Sequence, residues 1–313
     1  MKFIISSGRQ FWGGTIVAHY LCKLIEKQGY EASIFLNLPS HDNRLLFFLS
    51  YIKIMGKDLL GNIYTHLFSN REYSMRHYTG YIHFPVKGCK RTYWPVVDGD
   101  TVVVYTETTK GNPLHAKNVV RWFLYYNRYT DDPNWCSPND LFFSYREQFN
   151  DFRLNPQNRL LRIFHFDSEL YRQINFGKRQ GVCYVIRKGA TRTDLPQKFD
   201  GPVIDNLREP DKVKILNQCE KCYLYDTQTF YASIAAICGC IPIVVPEPGK
   251  SRKDYIKTDD DMPGIAFGET EQEIQFAIRT RNDVKKNINM MLQDNEVNVK
   301  EFIRTCKEYF HLK

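Results

Sequence analysis

No apolar run in the 313-residue sequence approaches the roughly 18–20 residues that a membrane-spanning helix needs, which excludes integral membrane classes. There is no internal repeat and no low-complexity tract, so collagen-like and coiled-coil classes go too. An Asp-x-Asp in a metal-binding setting is also missing. Asp98-Gly99-Asp100 precedes a strand rather than following one, and Asp259-Asp260-Asp261 reads as a solvated acidic turn. The opening MKFIISSGRQFWGG has one early Lys and a very short apolar run, so it reads as a first strand rather than an export signal. With an odd number of Cys, nine, the expectation is reduced thiols and a cytoplasmic location. Cys219-Glu220-Lys221-Cys222 is a CxxC without a second Cys/His pair at matching spacing, as structural zinc would require. It leads into a strand, whereas a redox CxxC opens a helix, so neither metal nor redox chemistry is expected there.

What is present is a composition for two folded domains. The chain is 43% apolar and 25% charged, enough to build large cores. The formal net charge is +8, of which +7 falls in residues 1–165 together with seven of the eight His. A basic first half suits an anionic partner: phosphate, acidic glycan, nucleic acid or a membrane surface. No recognisable nucleic-acid motif accompanies it, and no nucleic-acid partner is expected.

Strand and helix signals alternate. Phe3-Ile4-Ile5 reads as a strand, Gly13-Gly14 as a turn, and Ile16, Val17, Tyr20, Leu21, Leu24 and Ile25 recur at helical spacing before a stop at Gly29. Ala32–Leu36 is the next strand, completing a βαβ opening. Leu45–Leu60 reads as helical, and the Tyr-, His- and Arg-rich segment after it as irregular. Thr101–Tyr105 is a strand, and the stretch from Asn112 through Phe123 a helix with Pro113 in its first turn. Leu141–Phe143 and Leu160–Phe164 read as strands.

The polar stretch near 165–180 marks the domain boundary, set at 170/171. A second series follows: strands Val182–Ile186, Pro202–Ile204, Cys222–Tyr225 and Ile241–Val245, with helices Lys212–Cys219, Gln228–Ile237, 270–292 and 297–310. The expected fold class is α/β, with two doubly wound Rossmann-like domains facing a cleft and the last helix packing back on the first domain. Ligands of such sheets sit beyond the carboxyl ends of the strands, which points to the loops after 5, 105, 186, 225 and 245.

Arg187-Lys188-Gly189 sets two cations and a Gly at one such end, a good anion site, or else a solvated basic turn. In Tyr225-Asp226-Thr227-Gln228-Thr229, Thr227 or Thr229 can cap the next helix, whose free N–H groups favour phosphate. Asp226 can accept from a sugar or ribose hydroxyl, or can simply cap. Glu247 and Gly249 occupy the exit loop of Ile241–Val245 and offer a further ligand position.

The small-residue helix ending in "AAICGCIPIVV" resembles the donor-binding half of GT-B glycosyltransferases. With "YTETTKGNPLHAKNVVRWFLYY" and "CYVIRKGAT", residues 100–250 resemble GT-B transferases that build bacterial or large-virus surface polysaccharides. The resemblance implies a nucleotide-sugar donor held by residues 171–313 and a glycan or lipid-linked acceptor held by residues 1–170. It implies no cofactor and no metal, the leaving diphosphate being stabilised by Arg187 and Lys188. Gly13-Gly14 matches the glycine-rich turn that lets donor or acceptor approach. Asp226 falls at the first Glu of the Glu-x7-Glu motif of retaining members, and Ile234 replaces the second, so Asp226 or Glu247 would substitute as ribose ligand.

Glu107, just past the strand TVVVY, is the expected general base on the acceptor, with His115 and His19 as alternatives. Peripheral contact with anionic lipid suits the basic, aromatic first domain. Two other readings of the chain compete with a transferase: a nucleotide-sugar epimerase on the same fold, and a non-catalytic polyanion-binding protein.

Overall fold

A computed structural model describes residues 1–8, 13–36, 43–68, 86, 88–132, 134–227, 229–255 and 262–313. The acidic run Asp259–Asp261 and most of the Tyr-, His- and Arg-rich segment (69–85 and 87) lie outside the described residues. The chain forms two compact units, Met1–His165 with Leu292–Lys313, and Phe166–Met291.

The first unit runs β1 (Lys2–Ser7), α1 (Gly13–Lys27), β2 (Glu31–Leu36), α2 (Arg44–Phe68), β3 (Arg91–Thr92), β4 (Thr101–Thr106), β5 (Asn118–Phe123) and β6 (Leu141–Ser144). All the strands pair in parallel in the order β3-β2-β1-β4-β5-β6. This is the doubly wound Rossmann order, which reverses between β1 and β4. Period-2 alternation splits the strands between two cores. Phe3, Ile5, Val102 and Val104 pack with Leu21 and Ile25 of α1 and with Phe302. Ile4, Phe35, Val103 and Tyr105 pack with Tyr51 of α2.

Gly13 and Gly14 form the first turn of α1 rather than a free turn before it. The stretch from Asn112 is not helical. Asn112 closes a turn, its Oδ1 accepting from Ala116 N and the Tyr105 hydroxyl and its Nδ2 donating to Ala116 O. Residues 118–123 then run as a fully buried strand. A short apolar run of this kind satisfies helical and strand spacing alike, and its β-branched and aromatic content decides for the strand. Leu160–Phe164 makes only one bridge, Ser144 to Leu160.

The second unit holds β7 (Val182–Val185), α3 (Glu209–Gln218), β8 (Lys221–Leu224), α4 (Tyr231–Ile237), β9 (Ile241–Val244), α5 (Arg252–Tyr255), β10 (Ala266–Phe267) and the start of α6 (Glu271–Phe310). Its sheet is parallel in the order β10-β9-β8-β7. Pro202–Ile204 is reduced to a single parallel bridge, Val203 to Tyr184, on the other side of β7. Counting that bridge, the order of the unit's own segments is 2-1-3-4-5, whose reversal falls between β7 and β8.

The two expected C-terminal helices are one helix of 40 residues. Asn295, 1% exposed in its middle, turns its amide to Phe164 N and O instead of breaking the helix. No described helix is long and apolar enough to cross a membrane.

Candidate functional site

In the second unit the exit loops of β7 and β8 meet at the reversal point. After Val185 the chain bends through Ile186 and Arg187, the latter at φ +41°, into a 3-10 turn, Arg187–Thr191. The N–H groups of Ile186 and Arg187 both donate to Asp205 Oδ2, at 3.0 and 2.8 Å. Asp205 thus fixes a backbone conformation that costs a non-glycine residue about 1–3 kcal/mol. Gly189 is buried against the next loop, where a Cβ would stand 2.5 Å from Tyr225 O. Only glycine allows the basic turn to lie on the loop that carries Asp226, Thr227 and Thr229.

Arg192 stitches this edge together. Its Nη1 donates to Tyr225 O (3.3 Å) and Val245 O (2.8 Å), and its Nη2 to Pro246 O (3.0 Å). Asp194 pairs with the same guanidinium. One side chain therefore ties the exits of β7, β8 and β9. Arg187 and Lys188 remain exposed. The Arg187 guanidinium sits 5.3 Å from the Tyr231 ring centroid, a cation–π distance. Tyr231 is held in turn from below: its hydroxyl donates to Glu209 Oε1, and Lys212 Nζ donates to both at 2.8 Å. Tyr171 donates to Glu209 Oε2 at 2.8 Å. Burial and the Glu209 charge push both phenols well above their ordinary value.

Asp226 and Thr229 are buried. The Thr229 hydroxyl accepts from Tyr231 N at 3.3 Å, and α4 begins at Tyr231, with Phe230 as N-cap, later than the sequence pattern suggests. α4 has seven residues, and its N-cap is Phe230 rather than Thr227 or Thr229. Thr227 is half-buried on the same loop. Glu247 lies in the β9 exit loop, paired with Lys250, its N–H donating to the Tyr255 hydroxyl.

The first unit has its own reversal point, between β1 and β4. Glu107 follows β4 there and is 6% exposed, its Oε2 accepting from Leu124 N at 3.0 Å. Desolvation raises its pKa, against the backbone N–H groups and Arg128 that favour the carboxylate. Gly14 belongs to the same edge, since a Cβ on it would come within 3.3 Å of Leu124 Cδ1. Gly13 has nothing within 4 Å of that position. His115 lies elsewhere. It precedes β5, whose Asn118 pairs with Val102 at the start of β4, whereas Glu107 follows Thr106, which pairs with Trp122. At about 3.3 Å per residue, the two are at opposite edges of the sheet. His115 is exposed at φ +50° in the Asn112 turn.

His19 is 1% exposed inside α1, its Nδ1 2.7 Å from Thr15 O. Burial lowers its pKa to about 4, so it is a neutral core residue.

All nine Cys are free, and those of the CxxC are buried. The neighbouring Cys183 thiol and burial push the thiols of Cys219 and Cys222 up, so both stay protonated. Among the described residues no group of three or more His, Cys, Asp or Glu could hold a metal ion.

No protein family matches the chain, and no curated protein does. Solved structures do. The chain is similar to the glycosyltransferase SnogD from Streptomyces nogalater at 10% identity, over 97% of this chain and 99% of that one, with a TM-score of 0.39. It is similar to MurG from Acinetobacter baumannii at 9% identity, over 98% and 100%, with a TM-score of 0.36. A Listeria monocytogenes chain provisionally assigned as a UDP-N-acetylglucosamine 2-epimerase is similar at 9% identity, over 99% and 97%, with a TM-score of 0.39.

Proposed function

We propose that the chain is a GT-B glycosyltransferase that moves a sugar from a nucleotide-sugar to a glycan or lipid-linked acceptor in surface polysaccharide or glycoconjugate synthesis. The observation that carries this reading is the junction of the Arg187–Thr191 turn with the Tyr225–Thr229 loop at the reversal point of a parallel sheet. Arg187 supplies a planar fork and Lys188 a point charge for the donor diphosphate, the role that a metal ion plays in other transferases. Asp226, Thr227, Thr229 and Glu247 on the adjoining loops are the candidates for ribose and phosphate contacts. Glu107 in the first unit is the candidate base, with the Gly14 edge beside it for the acceptor.

A thermal-shift screen against UDP, GDP, dTDP, ADP and CMP, with and without Mg²⁺, tests the reading. A ligand at about 100 times its Kd adds roughly 2.7 kcal/mol of stability. One nucleoside diphosphate should stabilise the protein without metal, and Arg187→Ala with Lys188→Ala should abolish the shift while the fold persists. Retention of the shift in that double variant overturns the site.

The lipid contact is proposed for α2. Leu45, Leu46, Leu49 and Ile52 are each at least half exposed, with Arg44, Lys53 and Lys57 on the same helix. An apolar stripe flanked by cations suits an anionic bilayer surface. Sedimentation with phosphatidylserine vesicles should be lost on changing Leu45, Leu49 and Ile52 to Ser. Equal sedimentation of that variant and the parent removes this contact.

A further inference from the structure

At the amino ends of β8 and β9, the edge of the second sheet opposite the basic turn, lies a pocket of about 330 Å³. Its lining includes Arg281 and Arg179, with Gln173, Ile241, Ile278 and Phe176. Arg179 is committed to backbone carbonyls. Its Nη1 donates to Leu216 O and Cys219 O at the carbonyl end of α3, and its Nη2 to Cys238 O at that of α4 and to Asn175 O. Arg281 is the opposite case. Its Nε is sealed from solvent and donates to nothing among the described residues. No carboxylate among them stands within 4.0 Å of its guanidinium, although Glu220 lines the same pocket. Burial and the positive charge of Arg179 both disfavour the Arg281 cation. Arginine does not respond to such stress by giving up its proton, and an anion in the pocket would offset it.

We propose that this pocket binds a small anionic ligand, a phosphate or carboxylate group carried on an apolar body. The anion would accept from the Arg281 fork, with Gln173 in reach, and the body would rest on Ile241, Ile278 and the 82%-exposed ring of Phe176. The site is separate from the proposed donor site and does not depend on it, since the two occupy opposite edges of one sheet.

The test compares the parent protein, Arg281→Met, and the Arg187→Ala/Lys188→Ala variant by thermal shift at matched ionic strength. The probes are inorganic phosphate, phenyl phosphate and benzoate against chloride. The expected result is a concentration-dependent rise for the parent and for the Arg187/Lys188 variant, and none for Arg281→Met. Phenyl phosphate should act at lower concentration than phosphate. In chloride, Arg281→Met should melt no lower than the parent, because the substitution removes an unpaired charge next to another. A response to phenyl phosphate alone identifies a phosphate ligand, and one to benzoate alone a carboxylate. Equal responses in parent and Arg281→Met, or none in the parent, overturn the proposal. A response lost in the Arg187/Lys188 variant but kept in Arg281→Met places the anion in the donor site and also overturns it. Should Arg281→Met fail to fold, the Nε–H resonance of Arg281 in the parent decides. It must shift on adding phenyl phosphate or benzoate, and a fixed resonance with both rejects the site.

Discussion

The Cβ that Gly189 lacks would stand 2.5 Å from the carbonyl oxygen of Tyr225. Real Cβ contacts do not come that close, and the obstacle is backbone, which cannot swing aside. Gly189→Ala must therefore push the basic turn off the loop bearing Asp226. Overpacking of this kind costs about 1–3 kcal/mol. A lower denaturation midpoint is expected, together with a nucleoside-diphosphate shift reduced far more than stability alone explains. An unchanged midpoint with full nucleotide response would mean that the loops do not touch.

Arg121 and Asp140 form the most deeply buried ion pair described in the first unit, at 1% and 5% side-chain exposure with Nε to Oδ2 at 2.7 Å. Arg121 also donates to Thr109 O and Gly111 O, and lies 5.0 Å from the Tyr105 ring. Through these bonds it holds the connection that follows Glu107. Removing one partner strands the other charge, at about 3–5 kcal/mol, whereas removing both need cost little. Asp140→Ala should destabilise severely in urea, and Arg121→Met with Asp140→Ala should recover much of the loss. A double variant as unstable as the sum of the two single ones would show that the pair is not coupled.

These two cases also show what the sequence made legible. Strand and helix alternation, the glycine stops and the loops worth examining follow from local periodicity, because each is set within a few residues. Arg187, Lys188 and Asp226 are candidates that the sequence offers for that reason: a strand end and a polar loop are local signals. Arg192 is not one, because its partners are the carbonyls of Tyr225, Val245 and Pro246, up to 54 residues away. Asp205 was invisible for the same reason, since nothing nearby reveals that it bonds the backbone of Arg187. Arg121 sits in the stretch read as a helix, and its burial there could not be seen locally, because the carboxylate that makes it tolerable, Asp140, lies 19 residues on. The gap expected between helices 270–292 and 297–310 holds Asn295, whose partner is the backbone of Phe164, 131 residues away.

His19 gives the first unit a pH dependence. Its folded pKa of about 4 lies below the ordinary 6.5, mainly through burial. The unfolded chain therefore binds the proton first, and stability is lost as pH falls from about 6.5 to about 4. The loss approaches about 3 kcal/mol at the lower limit. Nδ1 carries the proton of the neutral ring, because the Thr15 carbonyl can only accept. His19→Gln should flatten the fall in melting temperature between pH 6.5 and 4, even if it melts lower at pH 7. Parallel curves for the two proteins would assign the acid sensitivity to other groups.

Glu107 is the carboxylate on which the proposed chemistry depends. It is buried at the sheet edge where β4 ends, and desolvation raises its pKa. A general base must be ionised, so the transfer rate should fall as pH drops through that raised value, earlier than an ordinary carboxylate would predict. Glu107→Gln keeps an oxygen to accept from Leu124 N, which preserves the loop, and removes the basic oxygen. The expected outcome is a drop in kcat of about 10²–10⁴ with the nucleotide Kd unchanged, and disappearance of the acidic limb. Melting at neutral pH should hold or rise, because a buried charge has been replaced by an amide. If kcat stays within a factor of two and the acidic limb persists, Glu107 is a structural acceptor for Leu124 alone, and the base is another residue.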